Sequence, residues 1–306
     1  MRISARGTAV LAVGSAAMLF GTSATVAERH APGLDALSVA AWRLIVGGSA
    51  LVLLARLLGC APWRYPVRPG AVLLGGLTVV GFQAGFFAAV ARLGVGQATV
   101  LAIAAGPVAA GLLDHVRGQA RLTQRWVAGV AVVVAGIALL GSGGWSADPV
   151  GWAMAIAAGC GFPVYGAVLR ELGRDRPPLA AVATVFGAAV PLVAALALVG
   201  GITAPGTDAL LGVAWLGLAA TAAAYLLWTC GLATLIVRDT MLLTTLEPVT
   251  AVLLAALVLG EPLGLAGLVG IAAVVGGTTW AAARPRRAPA PVGPPGRVGL
   301  GRTAAG

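Results

Sequence analysis

The chain has 306 residues, of which 20 are basic, 10 are acidic and 59% are hydrophobic, with a net charge of +10 and a mean hydropathy of +0.96. A soluble domain is charged at roughly a quarter of its positions, so 10% charged residues leave too little polar sequence to cover a water-facing surface. All 20 basic residues are arginine, which excludes the lysine of a Walker A loop and every Schiff-base chemistry; the composition is that of an integral membrane protein.

A bilayer core of about 30 Å takes about 20 apolar residues per helix, and ten such runs follow one another. They are 8–27, 37–55, 70–90, 95–113, 126–144, 150–169, 179–199, 209–230, 240–259 and 263–283. The first follows Arg2 and Arg6 and carries small residues at Ser23 and Ala24, as a signal peptide would, but its length favours a retained helix. Residues 1–7 form a short tail, 8–144 a first group of five spans and 150–283 a second group of five. The segment 284–306, rich in Arg, Pro and Gly, is expected to be a disordered basic tail. The loops are short, so no soluble domain is expected between the spans.

Short loops rich in arginine stay in the cytoplasm. With the N-terminus inside, the inner segments hold 17 arginines and the outer loops hold Arg29 and Arg92, while Arg43 lies within a span. The alternation predicts both termini inside. The arginines are separated by long apolar runs and form no continuous basic stripe, so nucleic acid is not an expected partner. The chain's surroundings are the lipid bilayer.

A shift of 141 residues lays Gly129 over Gly270, Gly136 over Gly277 and Pro107 over Pro248. Five spans is an odd number, so the second half enters the membrane from the opposite side. The expected fold is an all-α polytopic membrane protein with ten transmembrane helices in two inverted five-helix repeats. In secondary transporters of that design the substrate site lies near the midplane between the halves.

An ionisable residue within a span is costly and marks function by default. Arg43 lies eight residues after Asp35 and Glu247 eight after Asp239, each about 12 Å into the membrane at 1.5 Å per residue. Their depths then differ by only about 6 Å in a core of about 30 Å. The shift aligns Arg43 with Thr184 and Glu247 with Gly106, so each half contributes a charge the other lacks. Two readings stand: Arg43 takes an anionic group of a substrate while Glu247 takes an ammonium or a coupling proton, or the two form a static pair between the halves. Gln83, Tyr165, Tyr225 and Trp228 are candidate cavity liners, because amide, phenol and indole groups need polar partners in lipid. Pro248 and Pro107 each remove a backbone donor and are candidate helix breaks or gates.

Other groups have simpler readings. Asp114 and His115 end the fourth span at the inner face, as interfacial caps or as a gate. Glu261 and Pro262 suit the start of the tenth helix. His30 and His115 are the only imidazoles, and Cys60, Cys160 and Cys230 are widely spaced, which suits no metal site and no cofactor. The cysteines read as small packing residues. Glycines such as Gly81 and Gly85 allow close helix approach, and the same feature would support a homodimer.

The stretch Leu246-Glu247-Pro248 through Gly260-Glu261-Pro262-Leu263, continued by Gly267, Gly270 and Gly277, resembles the EamA family of the drug/metabolite transporter superfamily. Ala40-Ala41-Trp42-Arg43-Leu44, Ala224-Tyr225-Leu226-Leu227-Trp228 and Pro107 agree with it, and the resemblance covers about residues 8–283. The first half departs from the pattern: Gly118-Gln119-Ala120-Arg121-Leu122 replaces the Gly-Glu-x-Leu signature, and Gly106 stands where an acid precedes the proline. The resemblance implies transport of small molecules by a ten-helix carrier; the missing Walker A lysine points to gradient-driven rather than ATP-driven transport, and the short loops suggest a bacterial inner membrane. Export of amino acids, related metabolites or drugs by alternating access is the first reading. Import or facilitated diffusion on the same scaffold is the second. A membrane-embedded enzyme acting on lipids is a remote third, because it needs a cluster of Asp, His or Cys at membrane depth.

Overall fold

The computed structural model describes residues 4–31, 33–66, 68–140, 146–260 and 262–282. Glu261, the tail 284–306 and the residues that would end the fifth predicted span lie outside them. Ten apolar helices follow in chain order: α1 Ala5–His30, α2 Ala36–Leu57, α3 Pro69–Leu93, α4 Val95–Val116, α5 Gln124–Leu140, α6 Pro149–Leu172, α7 Pro178–Gly200, α8 Leu210–Leu232, α9 Val237–Leu259 and α10 Leu265–Ala282. Among the described residues nine are long and apolar enough to cross a membrane, and α5 is a shorter apolar helix. The predicted spans are thus recovered, with ends displaced by a few residues; polar side chains cap the starts of α1, α2 and α6. Asp148 shows how one start is fixed. Its carboxylate accepts the N–H groups of Val150 and Gly151 at the first turn of α6, and the Gly151 bond holds its pKa below the ordinary value.

Three helices are irregular. α1 has a turn at Thr22, whose hydroxyl donates to the Leu19 carbonyl at 2.7 Å. In α8 the residues Leu218–Ala223 form a π turn. α9 is interrupted at Thr245, three residues before Pro248, and its last five residues are again π-helical. Pro107, by contrast, lies inside the continuous α4, which corrects the expectation of a break there. A membrane helix tolerates the lost donor when its neighbours re-satisfy the freed carbonyl.

The arrangement is governed by contacts between the two halves. α5 packs on α10, α2 on α7, and α4 on the first part of α9. α3 packs on α6 as α8 packs on α1, and α4 on α6 as α9 on α1. Every contact in this set maps onto another, or onto itself, when each helix is exchanged for the one five places along. The glycines aligned by the 141-residue shift form the α5–α10 seam. A Cβ on Gly277 would stand 2.9 Å from the Gly129 carbonyl oxygen, and one on Gly270 2.9 Å from that of Gly136. Since 129 meets 277 and 136 meets 270, the two helices run antiparallel.

Lipid gives helices no hydrophobic drive to associate, so small residues that let backbones touch carry the packing. At Gly159 of α6 a Cβ would collide with the Ala102 carbonyl of α4. Gly159→Ala is therefore expected to lower the stability of the detergent-solubilised protein by about 3 kcal/mol, the upper range for overpacking, seen as a lower midpoint of thermal unfolding. Not every small residue is so used: Cys230 is exposed rather than packed.

The arginines read as topology signals are also tied down. Arg68, before α3, pairs with Glu171 in the last turn of α6 at 2.9 Å and with Asp175 between α6 and α7 at 2.8 Å. Arg176 donates to Asp175 at 2.9 Å, and that bond holds the Asp175 carboxyl below its ordinary pKa.

Candidate functional site

Arg43 is positioned from the start of its helix. Asp35 caps α2, accepting the Ser38 N–H at 2.8 Å and the Ser38 hydroxyl at 3.0 Å; the backbone bond holds its carboxyl below the ordinary pKa. Two turns further in, the Arg43 Nε donates to Thr221 Oγ1 at 3.1 Å and a terminal nitrogen donates to the Ala220 carbonyl at 3.0 Å. Both acceptors belong to the π turn of α8. An α-helical backbone would commit its carbonyls internally, whereas a π turn misaligns them. The Thr221 hydroxyl in turn donates to the Leu216 carbonyl five residues back, at 2.8 Å. One guanidinium therefore clasps a helix of the second half.

Glu247 follows the interruption of α9 at Thr245. Its side chain is partly buried, and among the described residues its carboxylate has no hydrogen-bond or ion-pair partner. It is nevertheless within electrostatic reach of Arg43 and of the Tyr225 phenol of α8. Among the described residues no ion pair joins Arg43 and Glu247 in this conformation, although each lies within electrostatic reach of the other. The three groups come from α2, α8 and α9, one from the first half and two from the second.

Aromatic side chains wall this cluster. The Tyr225 ring makes edge contacts with Phe20 and Phe186, both at 5.0 Å between centroids. Tyr165 stands 5.7 Å from Tyr225 and stacks on Trp228 at the same distance, and Phe162 touches all three. Trp228 is fully buried and its indole N–H donates to Thr244 Oγ1 at 2.8 Å. Tyr165 is equally buried. In this conformation Trp228 therefore has its polar atom committed to the protein and braces α8 against α9. Trp228→Phe is expected to cost stability by about 2 kcal/mol, one neutral hydrogen bond and the cavity left by the smaller ring, with substrate affinity within about twofold of the parent; thermal unfolding and saturation kinetics measure the two.

Gln83 is placed elsewhere. It lines a cavity of about 60 Å³ between the first turns of α2, the middle of α3 and the end of α7, together with Leu37, Leu44, Val80 and Ile202. None of the other five candidate residues lines that cavity. The six residues grouped by sequence thus fall into a charged cluster of Arg43, Tyr225 and Glu247, an aromatic brace of Tyr165 and Trp228, and a separate pocket at Gln83. Thr221 was not identified from the sequence. Pro248, next to Glu247 in the chain, is buried, and the Glu247 carbonyl lies against Gly21 of α1.

Ten apolar helices in two contacting sets of five, with charges held between the sets, define a polytopic membrane transporter. The chain belongs to the EamA-like transporter family, which matches it twice, over residues 7–142 and 149–282. It is 32% identical over 278 residues to the uncharacterized transporter YwfM of Bacillus subtilis (strain 168), spanning 89% of this chain and 93% of that one. A solved protein crystal structure, 22% identical, superposes with a TM-score of 0.79 over 90% of this chain and 96% of its own; the two share the fold. The resemblance read from the ninth span is borne out.

Proposed function

We propose that the chain is a secondary transporter of the bacterial plasma membrane that exports small amine-bearing metabolites, amino acids or related amphipathic drugs, by alternating access. The observation that carries this is the Glu247 carboxylate, which is within electrostatic reach of Tyr225 and Arg43 and has no hydrogen-bond or ion-pair partner among the described residues. An anion at membrane depth without a partner is expensive, and a substrate ammonium or a coupling proton would relieve the cost. Arg43 supplies the complementary charge for a carboxylate; two of its nitrogens are committed to α8 and one terminal nitrogen is left over. The exchange-symmetric contacts and the antiparallel α5–α10 seam support an inverted repeat, whose two halves trade conformations to expose one site to either side.

The test is transport by protein reconstituted in liposomes, with a labelled panel of amino acids, purines and cationic drugs and with or without an imposed pH gradient. Accumulation of one class of amines that collapses without the gradient is the expected result. Equilibration indifferent to the gradient would make the chain a facilitator, and accumulation towards the cytoplasmic side would make it an importer.

A further inference from the structure

At the inner face, defined by the arginine alternation, the end of α4 and the start of α9 are joined by Asp114. This residue is 1% exposed. Its Oδ2 accepts the backbone N–H of Arg238 at 2.8 Å, while its own carbonyl accepts the N–H groups of Gln119 and Ala120 at 2.8 and 3.1 Å. The Arg238 side chain extends the junction, donating to the Arg121 carbonyl at 2.8 Å and lying 5.5 Å from the centre of the Trp126 ring. From the other side Arg6 of α1 reaches Asp239 at 3.5 Å. The start of α9 is thus fastened to the first half on two sides.

The outer parts of the same two helices are not joined in this way. Beyond Thr245, α9 packs on α1, α5 and α10, whereas α4 packs on α3, α5 and α6. Helices α4 and α9 occupy equivalent places in the two halves, so exchanging the halves turns an inner contact between them into an outer one. A state open to the inside must part Asp114 from the start of α9.

We propose that Asp114 is the positioning residue of an inner gate, latching α9 closed on the cytoplasmic side of Glu247 through the Arg238 backbone amide. The proposal rests on the alternating-access reading above. The shape of the contact makes a specific demand: the donor is main chain, so the identity of side chain 238 matters less than the acceptor at 114. A buried carboxylate suits a latch because water solvates it as soon as the gate parts, whereas a permanent cap could use an uncharged acceptor at lower cost.

The experiment reads the sidedness of Glu247 itself. Full-length protein is placed in vesicles of known orientation and treated with a membrane-impermeant cationic carbodiimide plus an amine, and labelling of the Glu247 peptide is followed by mass spectrometry. Asp114→Ala is expected to raise labelling from the inner face about tenfold and to lower it from the outer face, the population shift that follows loss of one charged hydrogen bond. Asp114→Asn, which keeps an acceptor oxygen, and Arg238→Ala, which keeps the donor, are expected to stay within about threefold of the parent. Unchanged labelling from both faces in folded Asp114→Ala would overturn the latch. If that variant does not fold, Arg6→Gln decides: a rise of about twofold, in keeping with a partly exposed ion pair, supports the gate and no rise overturns it. The label reports access and not transport, so a latch that fails leaves the Glu247 proposal standing, and the reverse also holds.

Discussion

Glu247→Gln is expected to abolish accumulation of substrate against its gradient and to weaken substrate binding roughly 30-fold or more. The amide keeps the volume and the hydrogen-bonding reach of the carboxylate but removes its charge. Hydrogen bonds to a charged group are worth about 1.5–3 kcal/mol, and each 1.4 kcal/mol is about a tenfold change in affinity, which sets the size of the loss. Because the parent carboxylate has no hydrogen-bond or ion-pair partner among the described residues, little fold stability is expected to go with it. The variant should unfold within about 1 kcal/mol of the parent, or be slightly more stable, since a partly buried charge without a hydrogen-bond or ion-pair partner has been removed. That separation of transport from stability distinguishes a substrate or proton site from a structural pair. Counterflow, in which labelled substrate exchanges without a driving gradient, divides the roles further. Exchange retained while gradient-driven accumulation is lost assigns the proton to Glu247; exchange lost as well assigns the substrate ammonium. Full activity with an unchanged pH dependence would remove Glu247 from the site.

Much of the fold was legible because the bilayer imposes it. Runs of about 20 apolar residues separated by arginine leave few other arrangements, and the 141-residue shift anticipated the glycines of the α5–α10 seam. Arg43 and Glu247 were legible for a related reason: charges within spans are few and costly. The π turn was not. Leu218-Ala219-Ala220-Thr221-Ala222-Ala223 reads as ordinary apolar helix, and nothing in it shows that Arg43 and Gly47 of α2 lie against its widened turn. Thr221 therefore gave no sign of its role. The partner of Trp228 was not legible either, because the sequence shows that an indole N–H needs a partner, not that Thr244, one turn before Pro248, is there to accept it. Gln83 shows the same limit, since composition does not say which face of α3 meets α2 and α7.

Arg43→Met is expected to lower stability by about 3 kcal/mol, in the range found when one partner of a buried polar arrangement is removed. Three consequences add together. The Ala220 carbonyl loses its donor, the Thr221 hydroxyl loses one of its two partners, and Glu247 loses the positive charge that acts on it. Arg43→Lys should recover little of this, because an ammonium is a point donor and lacks the planar fork that reaches Thr221 and Ala220 together. Arg43→Met combined with Glu247→Gln should be more stable than Arg43→Met alone, since the second change removes the charge left uncompensated by the first. A double-mutant cycle on thermal unfolding in detergent measures that coupling, expected at about 1 kcal/mol for charges that interact without touching. A value near zero would mean that Arg43 serves only the π turn. A value of several kcal/mol would mean that the two charges pair directly in another conformation, with Arg43 leaving α8 to neutralise Glu247 when no substrate does. Thr221→Val separates these further, because it weakens the grip of α8 on Arg43 and leaves both charges in place. Under partner exchange it should raise the measured coupling; under a fixed clasp it should cost about 1 kcal/mol of stability and leave the coupling unchanged.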